Sequence, residues 1–286
     1  MQRIVGYFVM TVVAMASLFS LPDVSGAEPF KIAITQDQAG AAAKFKPLLA
    51  YLEQKGVDAS LVAAKDYSTA ATMFDSGSVD AMFSGSGIAG TMIIKDLATP
   101  LVRPVTKDGN STYWAVVIAP KGSPKFTGSA AYFKNKKVIL TALASAGEFY
   151  FYSLPEARQA HATLLKAASH GAAIDAMDKG QADTAIVKNR VWDKVSDKYP
   201  NLVKVGEDKG QNPDGTLIVS KKVSQQLSDK VAVVLLGLKD DNSQAALAVK
   251  TSLDIDEYIK TTPKDFEHTL ALLKKAGVTK SFNFIF

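Results

Sequence analysis

The sequence predicts an α/β fold built as two similar lobes with a ligand cleft between them. Three observations carry that prediction. A short pattern occurs twice, helical and strand-like segments alternate through both halves, and Lys121-Gly122-Ser123-Pro124 breaks the chain between them. The first copy of the pattern is Met73-Phe74-Asp75-Ser76-Gly77-Ser78-Val79-Asp80-Ala81-Met82. The second is Ala176-Met177-Asp178-Lys179-Gly180-Gln181-Ala182-Asp183-Thr184-Ala185. Each is a helix end, a glycine stop, a polar residue and a strand start, and Gly77 and Gly180 suit the left-handed position that ends many helices. The copies lie about a hundred residues apart, too far for a solenoid and suited to two lobes.

The first lobe opens on an alternating strand, Phe30 to Thr35. A helical stripe follows at Phe45, Leu48, Leu49 and Leu52 and stops at Gly56. Val57 to Ala63 is a strand, Asp66-Tyr67-Ser68 starts a helix that ends at Gly77, and Asp80 to Phe83 is a strand. Ser84 to Lys95 is a turn and helix, Leu101 to Val105 a strand, and Tyr113 to Ala119 a long apolar strand. This alternation predicts a mainly parallel sheet with helices on both faces.

In the second lobe, Lys137 to Thr141 is a strand, followed by a helix bearing Phe149, Tyr150, Phe151 and Tyr152. A short strand near Ala168, a helix from Ala172 to Lys179, and strands at Thr184–Val187 and Leu202–Val205 follow. Gly210 to Gly215 is loop-like and Thr216 to Ser220 returns to strand. Three helical stretches, near Ser224–Leu238, Ser243–Ser252 and Pro263–Ala276, are expected to pack back on the first lobe. The expected organisation is therefore a signal peptide at 1–27, lobe 1 at 28–118, lobe 2 at 119–212, and a return to lobe 1 at 213–286.

The N-terminus explains the first boundary. Met1-Gln2-Arg3 precedes an uncharged apolar run from Ile4 to Leu21, and Ser25-Gly26-Ala27 offers small residues for cleavage after Ala27. The alternative is an uncleaved anchor, since such a run just spans a bilayer. Cysteine is absent, which excludes disulfides, thiolate chemistry and a lipid-modified N-terminal cysteine. The net charge of +5 comes mainly from dispersed lysines; it is compatible with an anionic ligand and gives no nucleic-acid footprint.

Candidate ligand contacts sit in loops that follow strands, where helix N-termini present N–H groups and favour anions. In Thr141–Glu148, Ser145 offers a hydroxyl, with the N–H groups of Ala146 and Gly147 beside it. Ser145-x-x-Glu148 is equally a capping box that needs no ligand. Ser84-Gly85-Ser86-Gly87 lets backbone and hydroxyls approach a ligand closely. Gly85 to Gly90 also matches the dinucleotide pattern G-x-G-x-x-G, with Asp108 downstream, although it follows the third strand rather than the first. Tyr67 and Tyr113 offer phenol donors, against the alternative of half-buried aromatics. His170 is a lone histidine, and a structural role is its ordinary reading. A G-x-S-x-G elbow and an H-E-x-x-H motif are both missing, and three scattered histidines without cysteine make a zinc cluster unexpected. The expectation is a binding protein with no catalytic residue, cofactor or metal.

With these residues in view, the chain resembles the phosphonate-binding family of periplasmic solute-binding proteins, exported components of phosphate, phosphite and phosphonate ABC transporters. The markers are Asp66-Tyr67, Val79-Asp80 before Phe83-Ser84-Gly85, Gly109–Trp114, Ser145-Ala146-Gly147, His170, and Gly180-Gln181-Ala182-Asp183. The resemblance covers roughly Phe30 to Leu238. It implies the type II periplasmic-binding-protein fold, a small anionic ligand, a permease partner and a monomer. It also implies ligand-facing roles for Tyr67 and Tyr113, an anion-holding helix N-terminus at Ser145, and a cleft histidine at His170. Three departures stand out: Ala144 and Ala146 replace hydroxyl residues, Gly171 replaces an acid that holds a ligand amine, and the return segment Gln211 to Gly215 is poor in proline. Two other roles are weighed with this one: a periplasmic sensing subunit for a membrane kinase, and a dinucleotide-dependent oxidoreductase built on Gly85 to Gly90.

Overall fold

The computed structural model describes residues 28–35, 42–141 and 143–284. The expected signal peptide lies outside the described residues. The chain runs β1 (Phe30–Thr35), α1 (Lys46–Gln54), β2 (Ala59–Ala64), α2 (Tyr67–Ser76), β3 (Ala81–Ser84), α3 (Ser86–Ile94), β4 (Ala98–Thr106), β5 (Thr112–Tyr113) and β6 (Ala115–Pro120). It continues through β7 (Lys137–Thr141), α4 (Ala146–Ser153), β8 (Thr163–Ala167), α5 (His170–Asp178), β9 (Thr184–Lys188), α6 (Asn189–Val195) and β10 (Leu202–Glu207). The return comprises β11 (Asn212–Pro213), β12 (Thr216–Ser220), α7 (Gln225–Leu236), α8 (Gln244–Leu253), β13 (Ile255–Lys260) and α9 (Glu267–Lys275).

Two large sheets form, ordered β13-β4-β12-β3-β1-β2 and β10-β6-β9-β7-β8, beside a two-stranded pair, β11-β5. Apolar clusters cover both faces of each, so each lobe is a sheet between helical layers. The first sheet is more mixed than the β-α alternation predicts. Strand β12 inserts antiparallel between β3 and β4, and β13 adds antiparallel to β4. Local alternation cannot reveal an insertion made by a strand from far along the chain. Strand β13 itself is missing from the sequence prediction because a bulge between Ile255 and Glu257 breaks its period of two.

The repeated pattern is a repeated structure. Gly77 and Gly180 both end their helices at positive φ, 79° and 69°. Downstream, Asp80 accepts from Lys31 N at 2.8 Å while its own N–H donates to Lys31 O. Asp183 does the same with Lys137, at 2.7 Å from carboxylate to N–H. Each aspartate thus ties the start of one parallel strand to its neighbour and fixes their register.

Two short crossings join the lobes, and they pair with each other as β5 and β11. The long strand expected from Tyr113 to Ala119 is broken at Trp114. There the backbone leaves β11, and both Trp114 N and Trp114 O bond to Asn189 at the edge of the second lobe. Helices α7 and α8 pack on the first sheet. Helix α9 packs against both α3 and α4, so the last helix bridges the lobes. No described helix is long and apolar enough to cross a membrane.

Candidate functional site

Four helices of eight residues or more begin at the gap between the lobes. Tyr67 starts α2, Gly85 caps α3, Ser145 caps α4, and Ser169 and His170 start α5. All of these residues line one cavity of about 150 Å³, together with Tyr113, Thr141 and Lys188. Their positive dipole ends therefore converge from both lobes. The local sequence explains the starts: Asp66, Ser145 and Ser169 each accept a backbone N–H three residues on. Helix α3 differs, because Gly85 has no side chain to cap it and Ser86, Gly87 and Ile88 are buried. A buried helix start without a cap needs another acceptor.

Of the six unpaired buried side-chain atoms among the described residues, three border the same gap. Among the described residues, Ser84 Oγ, Thr141 Oγ1 and His170 Nδ1 are buried without a hydrogen-bond partner. Thr141 and His170 line the cavity beside α4 and α5. Ser84 lines a neighbouring cavity of about 280 Å³ that shares Tyr67, Gly85 and Lys188 with the first. Orphaned hydroxyls in a low-dielectric site are costly unless a ligand pairs them.

One cation dominates the field. Lys188, at the end of β9, donates to Asp214 at 2.7 Å, and its ammonium stands 4.3 Å from the Tyr113 ring centroid. Burial by itself would lower its pKa, yet Asp214 and the nearby phenols raise it above the usual lysine range. Asp214 also accepts from Arg190 at 2.8 Å; burial opposes its charge, but Lys188 and Arg190 hold its pKa below the ordinary value. Burial lowers the His170 pKa to about 3, with Lys188 adding to the effect, so the imidazole is neutral. Burial raises Tyr113 to about 12, and its hydroxyl is bonded to Ser86 Oγ.

The structure places the sequence candidates unevenly. Tyr67, Tyr113, Ser145, Ala146 and His170 line the smaller cavity and Ser84 the larger. Ser86 and Gly147 stand behind the walls. Ser86 holds Tyr113, while a Cβ on Gly147 would lie 2.3 Å from Ile186 O, so its bare backbone lets α4 meet β9. The Ser145 hydroxyl donates to Thr141 O and accepts from Glu148 N. Glu148 reaches Ala144 N at 2.7 Å, one residue before the box position, and burial raises its pKa. Ser145 therefore shapes the helix start with its hydroxyl already paired, and Ala146, the first residue of α4, lines the cavity beside it.

Two of the three glycines of the G-x-G-x-x-G stretch, Gly87 and Gly90, have packing reasons. A Cβ on Gly87 would lie 1.8 Å from Ala144 O across the gap, and one on Gly90 would lie 2.6 Å from Leu273 in α9. Ala144 itself adopts a positive φ of 44°, an unfavourable state for a residue with a Cβ. Gly87 and Ala144 thus meet across the cleft with no room for a side chain between them. Sequence reasoning missed Lys188, Asp214, Thr141 and Ser169. Lys188 was within reach, because it follows Gly180 by the same interval as Gly85 follows Gly77.

Comparison with known proteins gives three further findings. A family model described as "ABC transporter, phosphonate, periplasmic substrate-binding protein" matches residues 30–266. A search of curated proteins finds no match. Among solved structures, a Xanthomonas citri protein bound to chloride is similar at a TM-score of 0.72 and 18% identity, covering 86% of this chain and 96% of its own. A binding-protein component of a Pseudomonas aeruginosa phosphonate ABC transporter gives a TM-score of 0.64 at 16% identity, covering 86% of each chain. PhnD1 of Prochlorococcus marinus, in complex with methylphosphonate, gives 0.64 at 16% identity, covering 87% of this chain and 98% of its own. At these identities the likeness is one of fold, shared with other type II periplasmic binding proteins.

Proposed function

This chain belongs to the periplasmic substrate-binding proteins of phosphonate ABC transporters, and from that premise we propose that it captures a small phosphonate-like or phosphate-like oxyanion in the smaller cavity between its lobes. Members of the family bind ligand and deliver it to a membrane permease; they are not enzymes. That overturns the oxidoreductase alternative, and two of its three glycines, Gly87 and Gly90, are accounted for by packing against Ala144 and Leu273.

The observation that carries the proposal is the convergence of four helix N-termini, with unpaired Thr141 and His170 atoms, on a cavity of about 150 Å³. The mechanism is recognition without chemistry. An oxyanion enters between the open lobes. The N–H groups of α3, α4 and α5 replace its hydration, with the Thr141 hydroxyl as a further donor. The Lys188 charge, already compensated by Asp214, adds attraction without leaving a bare cation in the empty site. Closure then brings Ala144 against Gly87 and excludes water. In this reading residues 1–27 export the chain. Segments 28–118 and 213–286 make one lobe and 119–212 the other. The protein acts as a monomer and serves a permease rather than a sensor kinase.

Thermal-shift measurements with phosphate, phosphite, methylphosphonate and nicotinamide nucleotides test the proposal. The oxyanions should raise Tm and the nucleotides should not, since only a ligand of the folded state stabilises it. Absence of a shift with every oxyanion would refute the anion assignment.

A further inference from the structure

We propose that the ligand's oxyanion is carried on an uncharged, ring-sized apolar substituent, held in the larger cavity beside the anion site. This rests on the oxyanion reading above and deepens it. The larger cavity, about 280 Å³, adjoins the anion site through Tyr67, Gly85 and Lys188, so one ligand reaches both. A dry cavity of about 150 Å³ already accommodates benzene.

The walls define the chemistry. Phe45, Phe83 and Tyr258 stand in a row, with ring centroids 5.3 Å and 6.2 Å apart, and Leu253 and Ile255 complete the apolar side. Phe45, Phe83 and Leu253 remain half-buried although each packs on the first lobe's core. Their remaining free surface is what an apolar substituent would cover. These residues come from three separate stretches of the chain, so the chamber is a product of the fold and of no local motif.

Charge excludes the main rival, an ammonium-bearing substituent. Among the described residues lining the chamber, Asp214 supplies the one carboxylate, and Lys188 and Arg190 already neutralise it at 2.7 and 2.8 Å. A buried ammonium would find no free counter-charge there and would meet the Lys188 and Lys44 cations instead. Gly171, in the smaller cavity's α5 turn, adds no acid.

Titration calorimetry on the purified protein with methylphosphonate, phenylphosphonate and 2-aminoethylphosphonate tests the inference. Phenylphosphonate should bind at least about tenfold tighter than methylphosphonate, the gain expected from burying a ring. The aminoethyl compound should bind no tighter than methylphosphonate. Leu253→Trp fills the chamber and should shrink the phenyl-to-methyl ratio; Phe45→Ala, which removes one wall ring, gives the same readout should the tryptophan variant not fold. Methylphosphonate binding with no phenyl advantage, a preference for the amine, or a ratio untouched in the folded variant overturns this inference and leaves the oxyanion reading intact. No binding by any of the three, with no stabilisation by phosphate, overturns both.

Discussion

The two lobes share a scaffold and differ in what they bring to the cleft. Gly77 and Asp80 in the first are matched by Gly180 and Asp183 in the second, down to the bonds to Lys31 and Lys137. By the same spacing Tyr67 matches His170, and both begin helices at the anion site. Ser86 matches Asn189, and each holds one residue of the crossing strand, Tyr113 and Trp114. Gly85 is matched by Lys188, and there the likeness ends. The first lobe supplies bare backbone and an apolar chamber; the second supplies a charge. Repetition thus sets the frame, and single substitutions at equivalent strand ends make the cleft asymmetric, with a charged wall and an apolar one.

The largest expected effect comes from removing the charge balance in the second lobe's wall. Asp214→Asn keeps the shape but leaves Lys188 and Arg190 without a counter-charge, at 20% exposure of the Asp214 side chain. Urea denaturation should report a loss of about 3 kcal/mol. Glu28→Gln, which weakens the exposed ion pair to Lys31 far from this wall, is the control and should leave stability nearly unchanged. Equal losses in the two variants would remove the special place given to Lys188.

Next comes the contact at which the lobes meet. Gly87→Ala sets a methyl against Ala144 O and should hold the lobes apart. Overpacking of this kind costs about 1–3 kcal/mol, which predicts methylphosphonate affinity lower by about 10- to 100-fold. Small-angle scattering should then show a larger radius of gyration with ligand than the parent shows. Unchanged affinity would mean that closure does not use this contact.

A smaller effect follows from His170. Above its ordinary value of 6.5 both folded and unfolded states carry it neutral; below that, the unfolded state takes a proton that the folded state, at about 3, does not. Stability should therefore fall as pH drops from about 6.5 toward 4.5, by at most about 1.4 kcal/mol per pH unit. A tyrosine side chain takes up no proton in this range, so His170→Tyr should flatten the slope. A slope that persists in that variant assigns it to another group.

The smallest effect tests the symmetry itself. Asp80→Ala and Asp183→Ala each remove one carboxylate-to-backbone bond at a matched strand start. Each should lower stability by about 1 kcal/mol. Losses differing severalfold would show that the two ties are alike in geometry only.

The sequence made the frame legible because helix stops, caps and apolar periods are local. Gly77, Asp66 and Ser145 act on residues within one turn, and most of the predicted elements they bound are present. The anion end of the site was legible for the same reason, since it consists of helix starts after strands. The apolar chamber was not, because Phe45, Phe83, Leu253 and Tyr258 meet only through β12 and β13 joining the first sheet. Lys188 looked like one dispersed lysine among many until the return segment set Asp214 against it.

The most direct test of the anion site is a crystal structure with methylphosphonate bound. Its phosphorus should lie between the lobes, with phosphonate oxygens accepting from the backbone N–H groups of Ala146 and Gly87 and from the Thr141 hydroxyl. A phosphonate lodged on an outer face, or held in the cleft by side chains of one lobe alone with the helix starts unused, would contradict it.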